Sequence, residues 1–251
     1  MSSKIIISNP IYDEVFRYLM DDLESAKIII STLLNQTILN LKPLANDLVH
    51  LNNQKHTKDN NNSIELMRLD YSAEILNNDN TKELVTIELQ KAKLKTDEIR
   101  FRKYIAENLK KTEQIITDVI DPNTKLPRVI EKTYRFIPIF ILNFEIEKEI
   151  CDLIIQTERN IHGIFTGKQL QGQNEFLDNL MYNLIVVQIP YINKIKESDL
   201  QNDKHKLALY KLFLLFNQSN PADIENHSLY INEDEIPVEY ARIVHRLANV
   251  N

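Results

Sequence analysis

Two runs of strict alternation constrain this chain more than any other feature. Met67, Leu69, Tyr71, Ala73 and Ile75 are separated by Arg68, Asp70, Ser72 and Glu74, and further on Val85, Ile87 and Leu89 alternate with Thr86, Glu88 and Gln90. Successive side chains of a strand point to opposite faces, so this period puts the apolar residues on one face and the polar ones on the other. Between the runs lies Asn77-Asn78-Asp79-Asn80, a cluster of residues that favour tight turns. The two runs predict an antiparallel hairpin with one buried face. A turn centred near Asp79 sets Glu88 directly across from Asp70, and Gln90 beside Arg68.

Helices and a further strand surround this hairpin in the pattern. Asn9 as N-cap and Pro10 at the first helical position open a helix. Its apolar residues are Tyr12, Phe16, Leu19, Leu23, Ile30 and Leu34. A short strand is expected near residues 48–51, followed by a mobile polar loop over 52–63. Thr96, backed by Asp97 and Glu98, starts a helix that runs to about Val119 and stops at Asp121-Pro122-Asn123. Residues 136–144 are almost continuously apolar, as in a strand covered on both faces, with Pro138 near its start or at an unpaired position. A helix over 175–184, a strand over 185–189 and helices over 207–216 and 237–247 complete the expectation. The apolar helix 207–216 either docks on the core or forms the interface of a homodimer. The fold class is α/β: residues 1–190 form the core, with a central mixed sheet flanked by helices, and 191–251 form a helical segment packed on it.

Composition excludes several functions. Only three glycines are present, at 163, 167 and 172, so no glycine-rich phosphate loop of the P-loop or dinucleotide-binding kind exists. The six histidines show no HxxxH spacing, which argues against zinc. A net charge of −6 argues against a general polyanion binder, although a local basic strip can still grip phosphates. The one cysteine, Cys151, rules out an internal disulfide and reads as a buried, inert thiol. No apolar run approaches the roughly 20 residues of a membrane span, and Lys4–Ser8 is too short for a signal peptide. The expected location is the cytoplasm.

Chemistry concentrates on the polar face of the hairpin. Directly opposed residues have Cβ atoms about 4.5–5.5 Å apart, and like charges there repel. A purely structural hairpin would avoid Asp70 opposite Glu88, whereas a divalent cation would convert the repulsion into binding. Two carboxylates plus waters suit Mg²⁺. The competing reading is a solvated face whose carboxylates pair with Arg68 and nearby lysines.

The order of motifs resembles the PD-(D/E)XK nuclease superfamily, and more closely its nuclease-family transposase branch, related to the recombination-promoting nucleases. The residues that carry the resemblance are Asn9 to Phe16, Arg68-Leu69-Asp70, Ile87-Glu88-Leu89-Gln90-Lys91-Ala92 and Arg100-Phe101-Arg102-Lys103-Tyr104. It implies a restriction-endonuclease-like core and a Mg²⁺-dependent DNA endonuclease, with Mn²⁺ as substitute metal, linked to transposition or recombination. Asp70 and Glu88 would be metal ligands with the backbone carbonyl of Leu89, and Gln90 would stand where the wider superfamily has lysine. Asp13 would lie in the first-helix motif and face the site, or else be a helix-surface carboxylate. Arg100 and Arg102 would contact phosphates, or form a solvated face. DNA is the expected partner, with RNA as an open alternative. A non-catalytic protein that keeps the fold to bind nucleic acid or protein is the alternative function.

Overall fold

The computed structural model describes residues 4–44, 68–77, 79–92, 98–110, 112–170, 172, 177, 180–219, 221–223 and 227–250. The predicted strand at 48–51 and the predicted loop at 52–63 lie outside the described residues, as does part of the predicted helix at 175–184, of which 181–184 form no regular element.

In chain order the elements are β1 (Lys4–Ser8), α1 (Asp13–Met20), α2 (Leu23–Leu34), β2 (Thr37–Pro43), β3 (Arg68–Leu76), β4 (Lys82–Ala92), α3 (Glu98–Leu109), β5 (Glu113–Ile120), β6 (Pro127–Lys132), β7 (Arg135–Leu142), β8 (Ile154–Gln156), β9 (Ile161–His162), β10 (Gln169–Leu170), β11 (Ile185–Gln188), α4 (Lys204–Leu214), β12 (Pro221–Asp223), β13 (Ser228–Asn232) and α5 (Ala241–Ala248). Six strands form the central mixed sheet in the order β2-β3-β4-β7-β11-β8. β4, β7 and β11 run parallel at its middle, and antiparallel partners flank them on both sides.

The alternation of the sheet's residues decides what covers each face. Ile87, Leu89, Ile139, Ile141 and Val187 point into the main core, where they meet Phe16, Leu19, Ile29, Leu212, Phe213 and Ile243 from α1, α2, α4 and α5. Ala92, Phe140, Leu142 and Val186 point the other way and are covered by Phe101 and Ile105 of α3. Helices therefore lie on both faces of the sheet. No helix among the described residues is long and apolar enough to cross a membrane.

Several expectations need correction. The first long helix is two helices, because Asp22 caps α2 by accepting from the Ser25 N–H at 3.2 Å and the Ser25 hydroxyl at 2.6 Å. Asn9 does not cap α1: its Oδ1 accepts from the Ile11 N–H at 3.0 Å and makes a tight turn before the helix, which starts at Asp13. The helix expected to reach Val119 ends at Leu109. Residues 113–120, rich in β-branched side chains, pair with β6 instead. Asp121-Pro122-Asn123 is the turn of that hairpin, with Asp121 Oδ1 accepting from the N–H groups of Asn123 and Thr124 at 2.8 and 3.1 Å. Cys151 is exposed, since its apolar neighbourhood lies in a loop beyond the end of β7. The C-terminal segment is not helical throughout, because β13 pairs antiparallel with β1 and closes a small second sheet with β12. Pro138 sits inside β7 and stands opposite Glu88 in the pairing with β4, while pairing with β11 begins only at Ile139. The apolar helix 207–216 appears as α4, and it docks on the core through Leu212 and Phe213.

Candidate active site

The hairpin register matches the pattern in the sequence. Asp70 stands opposite Glu88, and Arg68 opposite Gln90. Because β4 is central, flanked by β3 and β7, and α3 closes over this face, these polar residues are deeply enclosed. Asp70 is 3%, Glu88 0% and Gln90 2% exposed.

A fourth residue completes the cluster. Asn108, 5% exposed on the last turn of α3, donates from Nδ2 to Glu88 Oε2, while Gln90 Nε2 donates to Glu88 Oε1. Both oxygens of the carboxylate thus accept from a side-chain amide. The opposite amide orientation would press two carbonyl oxygens against a carboxylate, so the nitrogens must face Glu88. As a result Gln90 Oε1 and Asn108 Oδ1 are buried without a hydrogen-bond partner among the described residues. An orphaned buried acceptor costs about 1–3 kcal/mol, and two in one place suit a bound water or ion.

Gln188 gives an internal comparison. It is fully buried too, yet its Oε1 accepts from the Ile146 N–H at 2.7 Å and its Nε2 donates to the carbonyls of Ile150 and Asp152 at 3.0 and 2.9 Å. The chain can satisfy a buried amide completely where the amide serves only structure. Around Glu88 it does not.

The oxygens gathered here are those of two opposed carboxylates and of two side-chain amides. Such donors fit a hard divalent cation that keeps part of its water shell. They do not amount to a dedicated protein cage, since among the described residues no group of three or more His, Cys, Asp or Glu side chains could hold a metal. Leu89 lies between the two site residues of β4 with its side chain in the main core, opposite Leu69 and Ile139. Its carbonyl keeps a second lone pair beyond any sheet bond.

The other candidates fall elsewhere. Asp13 pairs with Lys91 at 3.2 Å, and Lys91 packs over the Phe16 ring on the main-core face, opposite to the face that carries Glu88. Arg102 is exposed on the flank of α3, roughly 100° round the helix axis from the docked Phe101. Arg100 is in the first turn of α3, and its side chain lies outside the described residues.

The sequence pattern missed Asn108, though a signal was there. Phe101, Ile105 and Asn108 follow the i, i+4, i+7 spacing of the face that α3 buries, and a polar residue on such a stripe marks a buried polar contact. On the same sheet face, next along the hairpin from the carboxylate pair, lies a cleft of about 760 Å³ lined by Lys42, Ser72, Glu74, Thr86 and Tyr134 among others. Ser72 and Thr86 are the next opposed pair of that face after Asp70 and Glu88. No protein-family model, curated protein or solved structure matches the chain.

Proposed function

We propose that this chain is a metal-dependent endonuclease of the PD-(D/E)XK kind, with a restriction-endonuclease-like core, that hydrolyses phosphodiester bonds in DNA. One observation carries the reading: a directly opposed, buried Asp70–Glu88 pair whose Glu88 is held by two side-chain amides, the oxygens of which find no hydrogen-bond partner among the described residues. A strand face that served only structure would be expected to satisfy those oxygens or replace them. The resemblance to nuclease-family transposases adds a role in transposition or recombination.

When bound, a Mg²⁺ or Mn²⁺ ion would acidify a water and neutralise charge on the scissile phosphate. Asp70 and Glu88 supply the anionic oxygens for it, with the Leu89 carbonyl beside them. Gln90 holds Glu88 through its N–H and offers its free Oε1 to a water proton. Lacking lysine's charge, it makes weaker hydrogen bonds than a charge-assisted donor, so turnover is expected to be slow. Arg100 and Arg102 serve the phosphate backbone, and the cleft past Ser72 and Thr86 gives the strand a path.

The enclosure of the pair favours a second reading, a nucleic-acid or protein binding module with weak or no catalysis, because α3 closes over Glu88. Incubation with supercoiled plasmid separates the two. Nicking or linearisation in Mg²⁺ or Mn²⁺, absent in EDTA and absent in Glu88→Ala, supports the nuclease. Equal cleavage by wild type and Glu88→Ala refutes the site, and plasmid binding without cleavage supports the module.

A further inference from the structure

We infer that Asn108 is a fourth member of the cation site and couples the docking of α3 to cation binding. The inference rests on the nuclease reading and goes beyond it, because Asn108 belongs to a different element from the acidic hairpin.

Three independent observations carry it. Asn108 donates to Glu88 Oε2 while its own Oδ1, buried, has no partner among the described residues. Its amide therefore gives a donor to the carboxylate and keeps a buried acceptor that no described group satisfies. The second observation is position. α3 ends at Leu109, one residue past Asn108, so Glu88 lies by the C-terminal end of this helix. That end carries the negative pole of the helix dipole and favours cations over carboxylates. Glu88 is thus next to Asp70, a helix C-terminus and two side-chain amides, an arrangement that concentrates negative potential. The third is docking. α3 is held on the sheet by Phe101, stacked on Phe140 with ring centroids 4.2 Å apart, and by Ile105. Asn108 is the polar residue of that same stripe, so any ion that engages its oxygen also fastens the end of the helix to β4.

The role is one of positioning. Asn108 steadies Glu88 and supplies an oxygen to the cation or to its water, while the anionic ligands stay on the hairpin. A residue with a purely structural role would change stability in the same way with and without metal. A member of the site must change the response to metal.

The test uses the full chain and Mn²⁺ as probe, followed by the loss of the free Mn²⁺ paramagnetic resonance signal and by thermal unfolding. Wild type is expected to bind Mn²⁺ and to gain thermal stability from it, with slower hydrogen exchange over residues 98–109. Asn108→Ala should bind Mn²⁺ about 10- to 100-fold more weakly, as is common when a residue supporting a metal ligand is lost, and its α3 amides should no longer respond to the ion. Asn108→Asp adds a third carboxylate, so it should unfold at lower temperature than wild type in EDTA and recover more than wild type when Mn²⁺ is added. This second variant keeps the test decisive if Asn108→Ala does not fold. Wild-type binding that both variants reproduce, with equal thermal gains, overturns the role of Asn108 and leaves the nuclease reading intact. No Mn²⁺ binding by wild type overturns both.

Discussion

Gln90 and Lys91 are neighbours in the chain and serve opposite faces of the sheet. Gln90 joins Glu88 under α3, whereas Lys91 is buried in the main core, where its ammonium donates to the carbonyls of Pro10 and Ile11 and pairs with Asp13. A buried cation is tolerated only when it is hydrogen-bonded and paired, and Lys91 meets both conditions at the entry to α1. Lys91→Met keeps the length of the side chain and removes these partners. The expected loss is about 2 kcal/mol of unfolding free energy, because the donors to the two carbonyls disappear while the half-buried Asp13 can turn to water. Urea denaturation measures it, and an unchanged midpoint would show that the clasp contributes nothing. Gln90→Ala makes a different prediction. It strips Glu88 Oε1 of its donor and should lower plasmid cleavage by about 10- to 100-fold with little change in the fold. Cleavage at the wild-type level would reduce Gln90 to a strand-face residue.

Among the elements, the break between α1 and α2 has the clearest physical cause and a pH signature. The Asp22 carboxylate caps α2 and also receives the Arg242 guanidinium of α5, from Nε and Nη2 at 2.6 Å each. The Arg242 contact first, and then the Ser25 hydroxyl and N–H, hold this carboxyl far below the usual carboxylate range against the opposing effect of burial. A carboxyl depressed in the folded state stabilises it fully at pH values above its ordinary value near 3.8. That stabilisation is lost as pH falls through the window below, because unfolding then takes up a proton. Asp22→Asn should therefore be less stable than wild type at pH 7, with the gap closing as pH drops from about 4 downwards. Urea midpoints at pH 7, 4 and 3 would check this, and a gap independent of pH would show that ionisation of Asp22 is irrelevant. The helical period was legible in α1, α2, α4 and α5. It misled over residues 113–120, because a short β-branched run can satisfy both periods and its pairing with β6 is decided across a turn. β1 escaped notice for a related reason: five residues carry little pattern, and their partner β13 lies more than 200 residues away.

For the molecule as a whole, residues 1–190 and 191–251 do not have separate interiors. Leu212, Phe213, Phe216, Ile243 and Leu247 are all fully buried in the cluster that holds Ile7, Phe16 and Leu19. Phe16 and Phe216 meet edge to face at 6.3 Å between centroids. At about 2 kcal/mol for each fully buried apolar side chain, losing these five approaches the whole stability of a typical domain, about 5–15 kcal/mol. A fragment of residues 1–190 is therefore expected to lack a cooperative unfolding transition, and a sharp calorimetric transition in it would show an autonomous core. The sequence by itself determined the hairpin, its register, the face that carries Asp70, Glu88 and Gln90, and the two-sided burial of β7. These follow from the two-residue period of a strand and from a short turn, both local properties. Only the tertiary structure decided that Asn108 joins Glu88, that Asp13 goes to Lys91 instead, and that the C-terminal segment closes the same core. Those outcomes depend on which helix covers which face of the sheet, and that is fixed by packing among residues far apart in the chain.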